Sequence, residues 1–303
     1  MNKNNLIDLR NHGEKYLTSL LKRGIELKTG AAPVAGKDKN LAMVFTKPST
    51  RTNVSFHIAM KRLGGDALYL GSETLQLSRG ETIYDTAKTL GGYVDAIMIR
   101  TFSHQDVIDM GQAAGVPVIN GLTNLLHPCQ AMGDVMSIAE TKGFDFKNLK
   151  VAFIGDGNNV CNSLINAAGI FGFELNVASP ENFEPSGHIV KPARKKNSNI
   201  KILNDPVKAS EGADAIYTDV WVSMGDEQEE YQRVDKFSAY RVDTDLLKVA
   251  SHDVIVMHCL PANRGEEITD EVMDGKHSYV FQQAENRMHI QQAILEDLLK
   301  EKG

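Results

Sequence analysis

The chain has 303 residues, enough for about two domains that each bury a core of their own. Hydrophobic residues make up 42%, charged residues 24% and aromatics 7%, the profile of a globular protein rather than a disordered one. Lys plus Arg is 33 against 39 Asp plus Glu, a net charge of −6, so the basic excess of a nucleic-acid binder is missing, although a few local arginines can still hold a small anion.

The first residues carry no apolar stretch of signal-peptide length. The apolar runs, such as those at 96–99 and 254–257, are far too short to cross a membrane. Three cysteines, Cys129, Cys161 and Cys259, form no paired spacing, which points to a reducing cytoplasm and no disulfide framework. Neither a Cys-x-x-Cys nor a His-Glu-x-x-His pattern announces a metal site, so none is expected.

Short β-rich apolar runs alternate with stretches of helical period. Strands are expected at 41–45, 67–70, 94–100 and 116–119, and again at 150–154, 174–178, 201–203, 215–218 and 254–258. Such alternation implies an α/β fold with parallel sheets covered on both faces. The polar stretch 141–148 marks a boundary between a first domain, 1–142, and a second, 143–286. A last helix is expected over 287–300, with Ile290, Ile294 and Leu298 on one stripe. In open α/β sheets ligands collect beyond the carboxyl ends of the strands, so polar residues at those ends are the candidates.

The first strand runs into Thr46-Lys47-Pro48-Ser49-Thr50-Arg51-Thr52 and then a helix. Ser49 or Thr50 there caps a helix N-terminus, and with the Arg51 guanidinium that terminus can bind phosphate; a plain capped surface helix is the alternative. Arg100 stands at the end of its strand, as a solvated end or a ligand contact. His127-Pro128-Cys129-Gln130 either presents two donors to one polar group or simply starts a helix. In the second half, Gly155-Asp156-Gly157-Asn158-Asn159-Val160 imitates a dinucleotide loop, but Val160 replaces its third glycine. Glu181 lies near the distance expected of a ribose-binding acid, so a nicotinamide-dependent dehydrogenase stays open as an alternative. Asp219 ends its strand and Ser223-Met224-Gly225 follows, a pair able to hold an amino group or to form an Asx turn. His258-Cys259-Leu260-Pro261 puts a thiol at the end of the last strand.

Taken in order, these segments, together with Glu285-Asn286-Arg287, resemble the aspartate/ornithine carbamoyltransferase family over nearly the whole chain. Two departures are Asn53 and His57, where the family often has Arg and Glu. The resemblance implies two doubly wound parallel-sheet domains with the active site in the cleft between them, and a C-terminal helix, 287–303, that packs back on the first domain. It implies a homotrimer or a multiple of trimers, located in the cytoplasm, with carbamoyl phosphate and L-ornithine as substrates, no cofactor, no nucleic acid and no membrane. Carbamoyl phosphate would be held by Ser49, Thr50, Arg51, Thr52, Arg100, His127, Gln130, Cys259, Leu260 and Arg287, with Gln76 from a neighbouring subunit. Arg100, His127 and Cys259 would be the catalytic residues. Ornithine would be held by Asn159, Asp219, Ser223 and Met224. A different amine, such as putrescine, is the alternative substrate.

Overall fold

The computed structural model describes residues 5–222 and 230–300. Two compact units emerge: residues 1–136 with 286–303, and residues 137–285.

In unit 1 the strands are β1 (Asn40–Phe45), β2 (Asp66–Gly71), β3 (Ala96–Arg100) and β4 (Val118–Leu122), with helices α1 (Glu14–Lys28), α2 (Thr50–Arg62), α3 (Ile83–Gly91), α4 (His104–Ala113) and the start of α5 (Pro128–Lys142). The sheet is parallel, in the order β2-β1-β3-β4. β1 and β3 are apolar and buried along nearly their whole length, as strands covered on both faces must be. The edge strand β2 differs, leaving Leu68 and Tyr69 52% and 44% exposed.

Unit 2 continues with β5 (Lys150–Ile154), α6 (Asn159–Phe171), β6 (Glu174–Ala178), α7 (Gly187–Lys196), β7 (Ile200–Leu203), α8 (Pro206–Ser210) and β8 (Ala215–Thr218). It then adds α9 (Glu230–Phe237), α10 (Thr244–Leu247), β9 (Ile255–His258), α11 (Asp270–Met273) and the first turns of α12 (Val280–Leu298). Its five strands are parallel, in the order β7-β6-β5-β8-β9. Trp221, fully buried, stacks on Phe237 at 5.9 Å in the core on one face of this sheet.

The strand order reverses between β1 and β3 in the first sheet and between β5 and β8 in the second. In each sheet by itself, such a switch point is where a crevice opens beyond the carboxyl ends of the strands. The sequence expectations meet nine strands among the described residues, with ends that shift by one to three residues. Asp95 falls outside β3 because its carboxylate accepts the Asn40 backbone N–H at 2.8 Å. β4 runs through Asn120 and Gly121, poor strand formers, because the Asn120 N–H donates to the Leu6 carbonyl at 2.8 Å and its Nδ2 to the Ile7 carbonyl at 3.1 Å. α12 starts at Val280, two turns before the expected 287, since exposed Phe281 hides the start of its apolar stripe.

The second half of α12 belongs to unit 1 and is held there by polar pairs with α1. Tyr16 donates to Asp297 at 2.8 Å, Arg23 to buried Glu296 at 2.6 Å, and Lys28 to Asn286 at 2.7 Å. Burial pushes the Glu296 carboxyl up, but Arg23 and the Val34 N–H outweigh it and hold the group below the usual range.

Candidate active site

Around the β1/β3 switch point the site residues of unit 1 converge. Ser49 is the N-cap of α2: its Oγ accepts the Thr52 N–H at 3.2 Å, in extended backbone before the helix. The remaining N–H groups of the first turn have no intrahelical partner, and the helix dipole favours an anion beside them. Thr50 is exposed and Arg51 half-buried; among the described residues the Arg51 guanidinium makes no hydrogen bond or ion pair. Arg100, 6% exposed, ends β3 and donates through Nε to the Lys47 carbonyl at 3.2 Å, which ties it to the loop after β1.

Thr52, fully buried, is reached by Arg287 Nη2 at 3.0 Å. Gly133 makes room for this arginine, since a Cβ there would meet Arg287 Cγ at 3.3 Å. His127, at the start of α5, is 4% exposed. Burial, then the Arg287 and Arg100 guanidiniums, hold its imidazole well below the usual histidine range, so it is a neutral hydrogen-bonding group at neutral pH. Gln130 is one turn on and buried. Its Nε2 donates to Asp134 at 2.8 Å, while its Oε1 has no hydrogen-bond partner among the described residues, leaving a buried acceptor. Cys129 between them is inert: burial pushes its thiol up to about 12, and Sγ contacts the Asn120 carbonyl. Gln76 stands apart, exposed at the start of a short 3₁₀ turn after β2.

Unit 2 gathers a second group around the β5/β8 switch point. Asp219, 6% exposed, follows β8. Its Oδ1 accepts from Cys259 Sγ at 2.8 Å and from the Val220 N–H at 2.9 Å; its Oδ2 accepts from Asn158 Nδ2 at 2.7 Å. Asn158 is the N-cap of α6, and its Oδ1 accepts the Val160 and Cys161 N–H groups. One side chain therefore both caps the helix and fixes the carboxylate across the switch point. Asn159, the residue expected to bind substrate, is half-buried at the first turn of the same helix. Ser223 and Met224 lie outside the described residues.

Behind Cys259 stands a buried set of partners. The His258 N–H donates to Gln283 Oε1 at 2.9 Å, and Gln283 Nε2 to the Tyr217 hydroxyl at 3.1 Å. His258 Nδ1 accepts the Leu260 N–H at 2.9 Å, and Nε2 lies 3.0 Å from Glu267 Oε1. Leu260 has φ 59°, in the left-handed region. The ligand atoms of Asp219, His258 and Cys259 fall within 4.8 Å of one another, the spacing of a small metal site. Both His258 nitrogens and both Asp219 oxygens are nevertheless already engaged, so a metal there would have to displace these bonds.

The glycine loop does not present a pyrophosphate cradle. A Cβ at Gly157 would strike Pro185 N at 2.2 Å, and the Gly157 N–H donates to the Phe183 carbonyl at 2.8 Å, so the chain itself fills the space. The α6 N–H groups a pyrophosphate needs are taken by Asn158, and Glu181 is exposed. Asn158 and His258 stand in motifs picked out from the sequence but are given no place in the site there, and Glu267 and Gln283 are not singled out. Asn158 carried a signal, an asparagine before a helix; buried Glu267 carried none.

Comparison with known proteins matches residues 4–140 to the family model "Aspartate/ornithine carbamoyltransferase, carbamoyl-P binding domain" and residues 147–298 to "Aspartate/ornithine carbamoyltransferase, Asp/Orn binding domain". An ornithine carbamoyltransferase of Archaeoglobus fulgidus is 54% identical over 263 residues, 87% of this chain and 85% of that protein. One from Methanoculleus marisnigri is 47% identical over 301 residues, 98% of this chain and 97% of its own length. The solved ornithine carbamoyltransferase of Pyrococcus furiosus superposes with a TM-score of 0.92 at 48% identity, covering 96% of this chain and 95% of that one.

Proposed function

Since the chain belongs to the aspartate/ornithine carbamoyltransferase family, we propose that it transfers the carbamoyl group of carbamoyl phosphate to the δ-amine of L-ornithine, giving L-citrulline and phosphate. The observation that carries ornithine over aspartate is Asp219, a buried carboxylate joined to Cys259 and Asn158. Such a group attracts an ammonium and repels a second carboxylate.

In this reading Ser49, Thr50, Arg51 and Thr52 hold the phosphate with Arg100: a helix N-terminus and two guanidiniums take the charge of a leaving dianion. Thr52, Arg100 and neutral His127 donate to the carbamoyl oxygen, where negative charge grows as the amine attacks; one such donor is worth about 3 kcal/mol. Gln130 Oε1 accepts from the carbamoyl NH₂ with the Leu260 carbonyl, and Arg287 stays beside Thr52. Asp219 and Asn159 orient the amino-acid end of ornithine, with Ser223 and Met224, and Cys259 faces the attacking nitrogen. That amine has a solution pKa of about 10 and must lose a proton before it attacks; removal from water favours the neutral form. The C–N bond forms as the carbamoyl π electrons move to oxygen; the tetrahedral intermediate then expels phosphate by breaking the C–O bond, and the extra proton on nitrogen leaves with the phosphate.

A homotrimer, or a multiple of it, is the assembly we propose. The exposed apolar residues of edge strand β2, Leu68 and Tyr69, with exposed Val54 on α2, support it, as does Gln76, exposed just beyond β2 and available to a neighbour. The three free cysteines fit a reducing cytoplasm. The deciding experiment measures ureido product and released phosphate with ornithine, putrescine, lysine and aspartate as acceptors. Citrulline formation is expected. Absence of both products with ornithine overturns the reading, and a preference for putrescine replaces the substrate.

A further inference from the structure

His258 and Glu267 have fully buried side chains, and the reaction above gives neither a contact with substrate. Their bonding pattern is nevertheless specific. A nitrogen that accepts the Leu260 N–H must carry its lone pair, so the ring proton of His258 sits on Nε2 and is donated to Glu267 Oε1. The same Glu267 oxygen accepts the Asn263 N–H at 2.6 Å. One imidazole–carboxylate pair thus grips both limbs of the turn that carries Cys259 and Leu260. Within that turn Leu260 adopts φ 59°, which a residue with a Cβ rarely holds unless its surroundings impose it.

We infer that His258 and Glu267 are positioning residues for the transfer: they clamp Leu260 in its left-handed conformation, and so aim its carbonyl and seat Cys259 Sγ on Asp219. The inference rests on the proposed reaction for its kinetic consequence, but not for its geometric one.

Two substitutions separate the bonds. In His258→Asn the amide oxygen takes the place of Nδ1 and still accepts from Leu260. In His258→Gln the amide reaches toward Glu267 but leaves the Leu260 N–H without its acceptor. The kcat of His258→Gln should fall about ten- to a hundredfold, as expected when reacting groups are misplaced by a fraction of an ångström to an ångström. Its affinity for carbamoyl phosphate by calorimetry should fall less than about fivefold, because the charged phosphate contacts are all in unit 1 and only the Leu260 carbonyl's contact with the carbamoyl NH₂ is disturbed. Iodoacetamide gives a readout without turnover. Cys129 and Cys161 are buried, so labelling reports Cys259, and a thiol released from a carboxylate acceptor reacts faster. His258→Gln should label at least about fivefold faster than wild type, and His258→Asn, which keeps the Leu260 acceptor but loses the Glu267 partner, should fall between the two, losing about threefold to tenfold in kcat and labelling about twofold faster. Wild-type kcat and labelling in His258→Gln, or equal damage in folded His258→Asn, overturn the inference. If His258→Gln does not fold, His258→Asn decides alone. If the wild type makes no citrulline, the reaction is wrong, while labelling still tests the clamp.

Discussion

Replacing His127 with glutamine tests the electrostatics of the carbamoyl half of the site. The native imidazole is buried beside two guanidiniums and resists protonation, whereas in the unfolded chain it titrates at its ordinary 6.5. The unfolded state therefore binds more protons below that value, and folding stability must fall as pH drops through it. With the native ring neutral throughout, the loss is RT ln(1 + 10^(6.5 − pH)), about 1.4 kcal/mol at pH 5.5 and about 2 kcal/mol at pH 5. His12 and His104 are also lowered by burial and add acid sensitivity of the same sign, but they are common to both proteins and cancel in the difference. Urea unfolding of wild type and His127→Gln between pH 7.5 and 5 isolates the residue. The stability advantage of the wild type should shrink by about 2 kcal/mol across that range. A difference that does not change with pH would mean that His127 takes up a proton in the folded protein as readily as in the unfolded chain, and the argument that burial holds it neutral would fail.

Arg51→Ala, which removes a guanidinium with no protein partner among the described residues, should leave the melting temperature within a few degrees yet weaken carbamoyl phosphate in calorimetry by about tenfold or more. Asp219→Ala should raise the KM for ornithine strongly with carbamoyl phosphate binding unchanged; equal weakening of both ligands in calorimetry would contradict the division of roles. Asn158→Ala removes the α6 cap and an Asp219 contact together, so it should cost about 1–2 kcal/mol in thermal unfolding and also raise the KM for ornithine. Arg23→Ala leaves buried Glu296 without its cation and should cost about 3 kcal/mol at pH 7. Glu296 is held below its unfolded 4.5 in the native state, so its contribution is present above that pH and lost below it; the penalty in urea unfolding should shrink in acid.

The alternation of apolar runs, read by period alone, located the nine strands, because strands buried on both faces leave an apolar signature that needs no knowledge of their neighbours. The capping residues were equally local: Ser49 before a helix acts on N–H groups two and three residues away. Strand order is not local. Nothing in the residues says that β1 lies beside β3, or β5 beside β8, yet those adjacencies bring Arg100 to the Ser49 loop and Asn158 to Asp219. Glu267 shows the limit most clearly. In the chain it is one acid in an exposed-looking Gly265-Glu266-Glu267 run, and only the folded turn buries it against His258, since a carboxylate's partner is chosen by distance in space and leaves no periodic trace in the sequence.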